Sequence, residues 1–336
     1  MTDTTTDAKG AVQSGKERIT FGVILERYAL LILTALVIVF FTVNPASSKA
    51  FPTVANFNVI LGSQAVVALV AIAALFPLIS GYFDFSLGAV AAMAQVMSAG
   101  LMANMHLPLW LAVVIPIVLA ALIGLINGLL VAKFQMPPFV TTLGTAILLS
   151  GIILWYTGGQ TIVSGIDPAI TKFGSSRILG LPTVVYVVIV VALAAWYFLS
   201  QTPYGRSLYA IGSNVNSARL VGVRVERNVW WSFVVASSIA GLAGVIQLSR
   251  MGSATAGDGG ALLFSALAAV FLGATSINPG FFNVFGTLIG ALFVSIAVSG
   301  LVLSGASGWA SPVFNGTALL LAVGFSTYLG RRKRRG

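Results

Sequence analysis

The run LWLAVVIPIVLAALIGLINGLLVA, residues 109–132, decides the fold. From Leu109 to Ile126 it is apolar on every face, and Val66 to Phe76 reads the same way. A helix needs about 20 mostly apolar residues to cross about 30 Å of hydrocarbon, whereas a barrel would show short alternating strands. Only structures that satisfy their own backbone hydrogen bonds survive in lipid, so such runs are read as membrane helices. Outward from this run, further candidate spans lie at 28–43, 59–80, 85–103, 139–157, 181–200, 229–248, 261–277, 282–304 and 310–330. The expected fold is therefore all-α, a polytopic membrane protein with about ten transmembrane helices. A polar segment 1–27 precedes a transmembrane domain 28–330, and a basic tail 331–336 follows it. The eighth, 261–277, is short and meets the ninth, 282–304, through Ser276-Ile277-Asn278-Pro279-Gly280, a turn signal where neither helix wants to continue; as a re-entrant hairpin the pair would still leave both termini on one side.

Composition agrees: the 336 residues are 58% hydrophobic and only 8% charged, with a mean hydropathy of +1.00, outside the soluble range. A net charge of +10 would suit nucleic acid, but its placement argues for topology. Fourteen of the eighteen Lys and Arg residues fall on the side that holds both termini, and only Lys49, Lys172, Arg177 and Arg250 fall on the other. The positive-inside bias then puts both termini in the cytoplasm. The Arg331 to Arg335 cluster reads as an anchor near anionic lipid, and nucleic acid is not expected as a partner. The apolar run after Arg27 is longer than a signal-peptide core and reads as a retained first span.

Chemistry has little raw material. There is no cysteine, and the one histidine, His106, sits in a turn beside Pro108. All eight acids (Asp3, Asp7, Glu17, Glu26, Asp84, Asp167, Glu226 and Asp258) stand at ends or joints. An enzyme would need a reactive cluster, and an ion-coupled transporter usually needs a carboxylate inside the bundle. Asp84 is the acid to weigh, because Gly81-Tyr82-Phe83-Asp84-Phe85-Ser86-Leu87-Gly88 separates two apolar runs by very few residues. It caps the helix that starts near Phe85, or it touches a polyhydroxyl substrate or serves a gate hinged at Gly81 and Gly88. The candidate path or gate residues are Asp84, Ser86, Gln64, Asn127, Thr141 and Thr142. Interhelical hydrogen bonding is the plainer role for the uncharged ones. Gly124 with Gly128, and Gly241 with Gly244, permit close helix packing.

The connection 201–228 is basic and less apolar than its surroundings. Its sequence Thr202-Pro203-Tyr204-Gly205-Arg206-Ser207-Leu208-Tyr209-Ala210-Ile211-Gly212-Ser213-Asn214, continuing to Ala218-Arg219-Leu220-Val221-Gly222-Val223, closely resembles a motif of the ribose-type sugar ABC transporter permeases. Ser80 to Gly88 resembles a second signature of that family, with Asp84, Ser86 and Gly88 on matching positions. Asn127-Gly128 with Pro137-Pro138-Phe139-Val140-Thr141-Thr142-Leu143-Gly144-Thr145 resembles a third. The likeness runs from about residue 55 onward. Departures follow Ala256-Gly257: Leu262-Leu263-Phe264-Ser265 stands where many members carry acidic residues, and Asn278-Pro279-Gly280-Phe281-Phe282 replaces a glycine-rich turn.

The resemblance implies a permease subunit of an ATP-driven, binding-protein-dependent importer for a monosaccharide or polyol, in a bacterial inner membrane. Within 201–228 it implies a coupling helix, at about 216–222, that docks on an ATPase. The residues matched to this role are Gly205, Arg206, Tyr209, Gly212, Asn214, Arg219, Leu220 and Gly222, with Leu220 and Val221 inserted and Arg219 and Arg224 at the rim. The implied partners are an ATP-binding cassette ATPase, a second permease copy or paralogue, an exterior sugar-binding protein and membrane lipid. That binding protein would dock on the exterior connections 158–180 and 249–260. No phosphate-binding loop is present, so no cofactor is expected on this chain, and ATP with Mg belongs to the partner. A self-contained secondary transporter or channel for a small polar solute is the rival reading.

Overall fold

A computed structural model of the protein describes residues 21–257 and 259–333. Asp258, the first twenty residues and residues 334–336 lie outside the described set, and with them the N-terminal acids and several of the basic residues counted above. The chain is built from helices α1 Phe21–Val43, α2 Val54–Ile79, α3 Leu87–Ala103, α4 Leu109–Ala132, α5 Pro138–Thr157, α6 Pro168–Ser175, α7 Thr183–Trp196, α8 Pro203–Ser213, α9 Val215–Leu220, α10 Val225–Met251, α11 Gly259–Gly273, α12 Val284–Leu303 and α13 Ala310–Lys333. A π-helical turn, Tyr197–Gln201, extends α7, and a short hairpin pairs β1 Arg177–Ile178 with β2 Leu181–Pro182. Among the described residues six helices are long and apolar enough to cross a membrane: α2, α4, α5, α7 with its π-turn, α10 and α12. Shorter apolar helices occupy Arg27–Val43, Leu87–Ala103, Gly259–Gly273 and Ala310–Gly324. The protein is an all-α, multi-pass membrane protein.

α2 is the centre of the bundle. Its residues Ala68 to Ile79 are all buried, a run with no polar face to turn outward. α10 packs along α2, α3 and α4. On α4 the buried stripe Ala112, Pro116, Ala120, Gly124 and Gly128 repeats every four residues. It meets a stripe of the same spacing on α10, with Gly124 against Phe233 and Ser237, and Ala120 against Gly241. Small residues on both ridges let the two backbones approach, the expected means of helix association in lipid. Gly244 lies against the Ala91 carbonyl in the same manner, bringing α3 onto α10.

Several helix ends follow local chemistry. Pro138, Pro168 and Pro203 open α5, α6 and α8, where a missing N–H is harmless. Thr53, Asp167, Thr202, Asn214 and Asn283 each accept a backbone N–H at a helix start. The connections gather at two ends of the bundle. At one end Tyr209 donates to the Phe282 carbonyl at 2.7 Å and Ile277 N–H to the Arg27 carbonyl at 3.1 Å. At the other, Ile162 and Ala254 exchange two backbone hydrogen bonds of 3.0 Å, and Gly165 packs on Ala103.

Some boundaries differ from the sequence reading. The stretch 201–228 is less a connection than two helices, α8 and α9. The short helix within it begins at Val215 and stops at Leu220 rather than covering 216–222, because Asn214 caps its start and Gly222 turns with φ +83°. α1 reaches back to Phe21, inside the segment taken as polar, and α13 runs on to Lys333 in the basic tail. α11 ends at Gly273, four residues early, where Ser276 is buried and Ile277 and Gly280 take positive φ. At about 1.5 Å per residue, its 15 residues span about 22 Å.

Candidate functional site

The joint between α2 and α3 is the first of two candidate regions. After Ile79 the chain turns at Gly81, φ +86°, so that α3 can start beside α4 and α5. Asp84 is buried, and its Oδ1 accepts from Ser86 N–H at 2.9 Å and from Ser86 Oγ at 2.6 Å. Asn127 Nδ2 on α4 donates to Ser86 Oγ at 3.0 Å, and Thr145 Oγ1 on α5 donates to Asn127 Oδ1 at 2.6 Å. Thr142 Oγ1 accepts Phe85 N–H at 3.0 Å and donates to the Pro138 carbonyl at 2.8 Å. Asp84, Ser86, Asn127, Thr142 and Thr145 thus form one buried polar junction of three helices. Asp84 Oδ2 has no hydrogen-bond partner in it. Thr141 sits beside this junction: its hydroxyl donates to the Pro137 carbonyl at 3.0 Å, and its own carbonyl accepts Thr145 Oγ1 at 3.0 Å. Gln64 is not part of it: it lies on α2, fifteen positions before Ile79, about 22 Å along the helix. Its Nε2 is buried without a partner. All six expected path or gate residues are buried in this chain.

A row of phenylalanines runs beside the junction. Phe139 meets Phe85 edge-on at 5.1 Å, Phe85 stacks near Phe83 at 6.0 Å, Phe83 near Phe271 at 6.1 Å, and Phe271 meets Phe282 edge-on at 5.5 Å. These separations suit favourable aromatic pairing. The row joins the α2–α3 joint to α5, α11 and the loop before α12. Reading the sequence missed it, although Phe83 and Phe85 flank Asp84 and Phe282 stands in the altered turn.

The second region is α8 with α9, at the same end. Gly205 fits against the Leu199 carbonyl and Gly212 against the Ile79 carbonyl, approaches that only glycine permits. Tyr204 OH donates to the Asn228 carbonyl at 3.3 Å, and Tyr209 to Phe282 as above. Burial raises both phenols above the ordinary tyrosine value, so both remain protonated donors. Asn214 Oδ1 accepts Ser217 N–H at 3.0 Å at the start of α9. Ala218 is buried beneath α9, yet Leu220 and Val221 are 88% and 78% exposed. Arg206 and Arg219 are exposed, and Arg219 pairs loosely with Glu226 at 3.9 Å. Five of the eight residues assigned to this region therefore hold the helices in place, and three present themselves outward.

Neither region holds an acid–base pair fit for catalysis, and among the described residues no three His, Cys, Asp or Glu side chains gather for a metal. At the other end, 158–180 carries α6 and part of the β-hairpin. The Ile162–Ala254 bridge ties it to the segment after α10.

The family described as branched-chain amino acid transport system / permease component matches residues 56–323. A ribose import permease of Haemophilus influenzae is 33% identical over 92% of this chain and 95% of its own length. One from Bacillus subtilis is 33% identical over 93% and 96%, and a D-allose transport permease of Escherichia coli is 27% identical over 95% and 97%. No solved structure matches. The buried Asp84 junction and the glycine-packed α8–α9 pair lie within the matched residues, and the chain belongs to the ribose-type sugar ABC permeases, a transport family rather than an enzyme family.

Proposed function

We propose that the chain is the membrane-spanning subunit of a bacterial inner-membrane importer for a monosaccharide or related polyol, with ten spans and both termini in the cytoplasm. Two permeases, alike or paralogous, stand side by side, and this chain contributes its transmembrane domain 28–330. A separate ATPase supplies ATP and Mg chemistry from the cytoplasm, and an exterior sugar-binding protein docks on 158–180 and 249–260. The observation that carries this reading is α9, a helix pinned by Asn214 and Ala218 that leaves Leu220 and Val221 outward beside Arg219. A soluble partner with an apolar groove covers that pair.

Gly212 on α8 touches Ile79 at the end of α2, and Tyr209 grips the loop of Phe282. Movement of α8 and α9 by the ATPase therefore reaches the phenylalanine row at two points, at its Phe282 end and, through the end of α2, near Phe83 in its middle. In this reading Asp84, Ser86, Asn127 and Thr142 fix the gate's frame, and the phenylalanines form its apolar closure, as in alternating access. Gln64 and Thr141 are path residues uncovered only in another state.

The test is co-expression with the candidate ATPase, reconstitution with and without the binding protein, and comparison of ATP hydrolysis for the natural chain and Leu220→Glu. Sugar-loaded binding protein is expected to stimulate hydrolysis, and the variant, folded, is expected to lose the ATPase. Solute movement by the chain alone, with no ATPase ever retained, would replace this reading with a self-contained transporter or channel.

A further inference from the structure

Between α8 and the start of α10 lies a cleft of about 760 Å³. Its mouth carries Arg224 and Arg227 with Thr202, Ser207 and Asn228, and no acidic residue lines it. Its walls are Phe198, Trp231 and Val235, with Phe76 of α2 at the floor. Among the described residues neither arginine has an ion-pair partner, since the described pair in this region is Arg219 with Glu226. The first turns of α8 and α10 also open on the mouth, adding their positive ends to the two guanidiniums.

The depth of the cleft decides what fills it. Val235 is ten residues beyond Val225, about 15 Å along α10. One wall is thus carried by a helix that crosses the membrane, and Phe198 and Trp231 are half-exposed on the outer faces of α7's extension and α10. A cationic polar mouth above an apolar slot of this depth matches one chemistry: an anionic phosphate head joined to an acyl chain. A peptide from a soluble partner could satisfy the mouth but would carry unpaired backbone groups into the slot. We propose that this cleft is a binding site for an anionic phospholipid, with its phosphate held by Arg224 and Arg227 and one acyl chain along Phe198, Trp231 and Val235. The inference needs only that α7 and α10 cross the membrane, so it stands or falls apart from the importer reading. An occupied cleft would also brace α8 against α10 and make the stiffness of the α8–α9 unit depend on lipid composition.

Trp231 provides the readout. The full chain is placed in phosphatidylcholine nanodiscs with a minority of brominated phosphatidylglycerol, and the quenching that disappears in Trp231→Phe is taken as the signal from the cleft. Brominated phosphatidylglycerol is expected to outcompete brominated phosphatidylcholine by about fivefold for each arginine, roughly 25-fold for the pair. Arg224→Gln and Arg227→Gln should each remove about one fivefold step, and the double variant should remove the preference. Lys133→Gln, which removes a basic residue at the same end outside the cleft, should leave it intact. Equal quenching by the two lipids, an unchanged preference in the double variant, or loss in Lys133→Gln as well would overturn the site. So would a double variant that keeps the preference and loses only the ATPase, which would assign the mouth to a protein. The single variants and their melting temperatures serve if the double variant does not fold.

Discussion

At one end of this bundle polarity is handled in two opposite ways. Around Asp84 polar groups are packed among apolar helices and bond one another and nearby backbone groups, Asp84 Oδ2 excepted. At α9 and its C-terminal cap apolar side chains stand outside, with little among the described residues covering Leu220 and Val221. A buried polar group without a partner is strongly unfavourable, so a chain keeps such a network only where its geometry matters. An exposed leucine forgoes roughly 1.5–3 kcal/mol of burial, which suits a surface completed by another molecule. The first region is thus frame and the second is contact, and substitutions should separate them.

The largest effect should come from Gly88 in the first turn of α3. A Cβ there collides with the Gly259 carbonyl and with Leu263. Gly88→Leu must therefore part α3 from α11, and overpacking of this kind costs about 1–3 kcal/mol or more. It is expected to yield no monodisperse protein on detergent extraction. Gly316→Ala, with nothing within 4 Å of the added carbon, should extract normally. Normal extraction of Gly88→Leu would mean that the α2–α3 joint is not held rigid by α11.

Next comes Asn127→Leu, which removes a donor to Ser86 and an acceptor from Thr145. Ser86 Oγ loses its donor, and Thr145 Oγ1 is left with the Thr141 carbonyl alone, at about 1–3 kcal/mol. The melting temperature should fall, and transport should fall further than stability if the network frames a gate. A variant that melts as the natural chain does would show that the hydroxyls re-pair locally, with the carbonyls of their own helices. Leu220→Glu should do the reverse: no change in melting temperature, and loss of the ATPase from the purified complex. A lower melting temperature with the ATPase still bound would move Leu220 from contact to frame.

Residue chemistry made much of this legible. Apolar runs such as 109–132 give their helices within a few residues, because lipid leaves the backbone no alternative. The four glycines named for packing do pack, Gly124 and Gly241 across α4 and α10, Gly128 on Trp230 and Gly244 on Ala91. Asp84 was readable as a polar group at a helix joint but not in its detail: α3 begins at Leu87 with Ser86 at the cap position and no side-chain cap hydrogen bond, and the Asp84 carboxylate accepts from Ser86 instead. What was hidden depends on distance in space. Nothing in the order of residues says that Phe83, Phe139, Phe271 and Phe282 form one row, or that Thr145 rather than Thr141 completes the polar junction. α11 was misjudged in length because Ala274, Thr275 and Ser276 are compatible with a helix. The chain leaves it where Ser276 Oγ and Ile277 N–H both reach the Arg27 carbonyl, a contact 249 residues away for Ser276.

The smallest effect is expected at Arg219. Its guanidinium lies 3.9 Å from Glu226, and both side chains are about half or more in solvent. Exposed pairs of this kind contribute at most about 1 kcal/mol, and often nothing measurable. Arg219→Gln should therefore melt with the natural chain, and so should Glu226→Gln. If Arg219 stands at the rim of a partner's groove, its loss should still speed dissociation of the ATPase, and more so at low salt, where its charge is least screened. Glu226→Gln should slow dissociation or leave it unchanged, because it frees the arginine. Opposite signs for two residues of one ion pair, with no change in melting, would place Arg219 in contact with the partner. Equal small losses for both would mean that the pair acts within this chain, holding α9 to the start of α10, and would confine the contact surface to Leu220 and Val221.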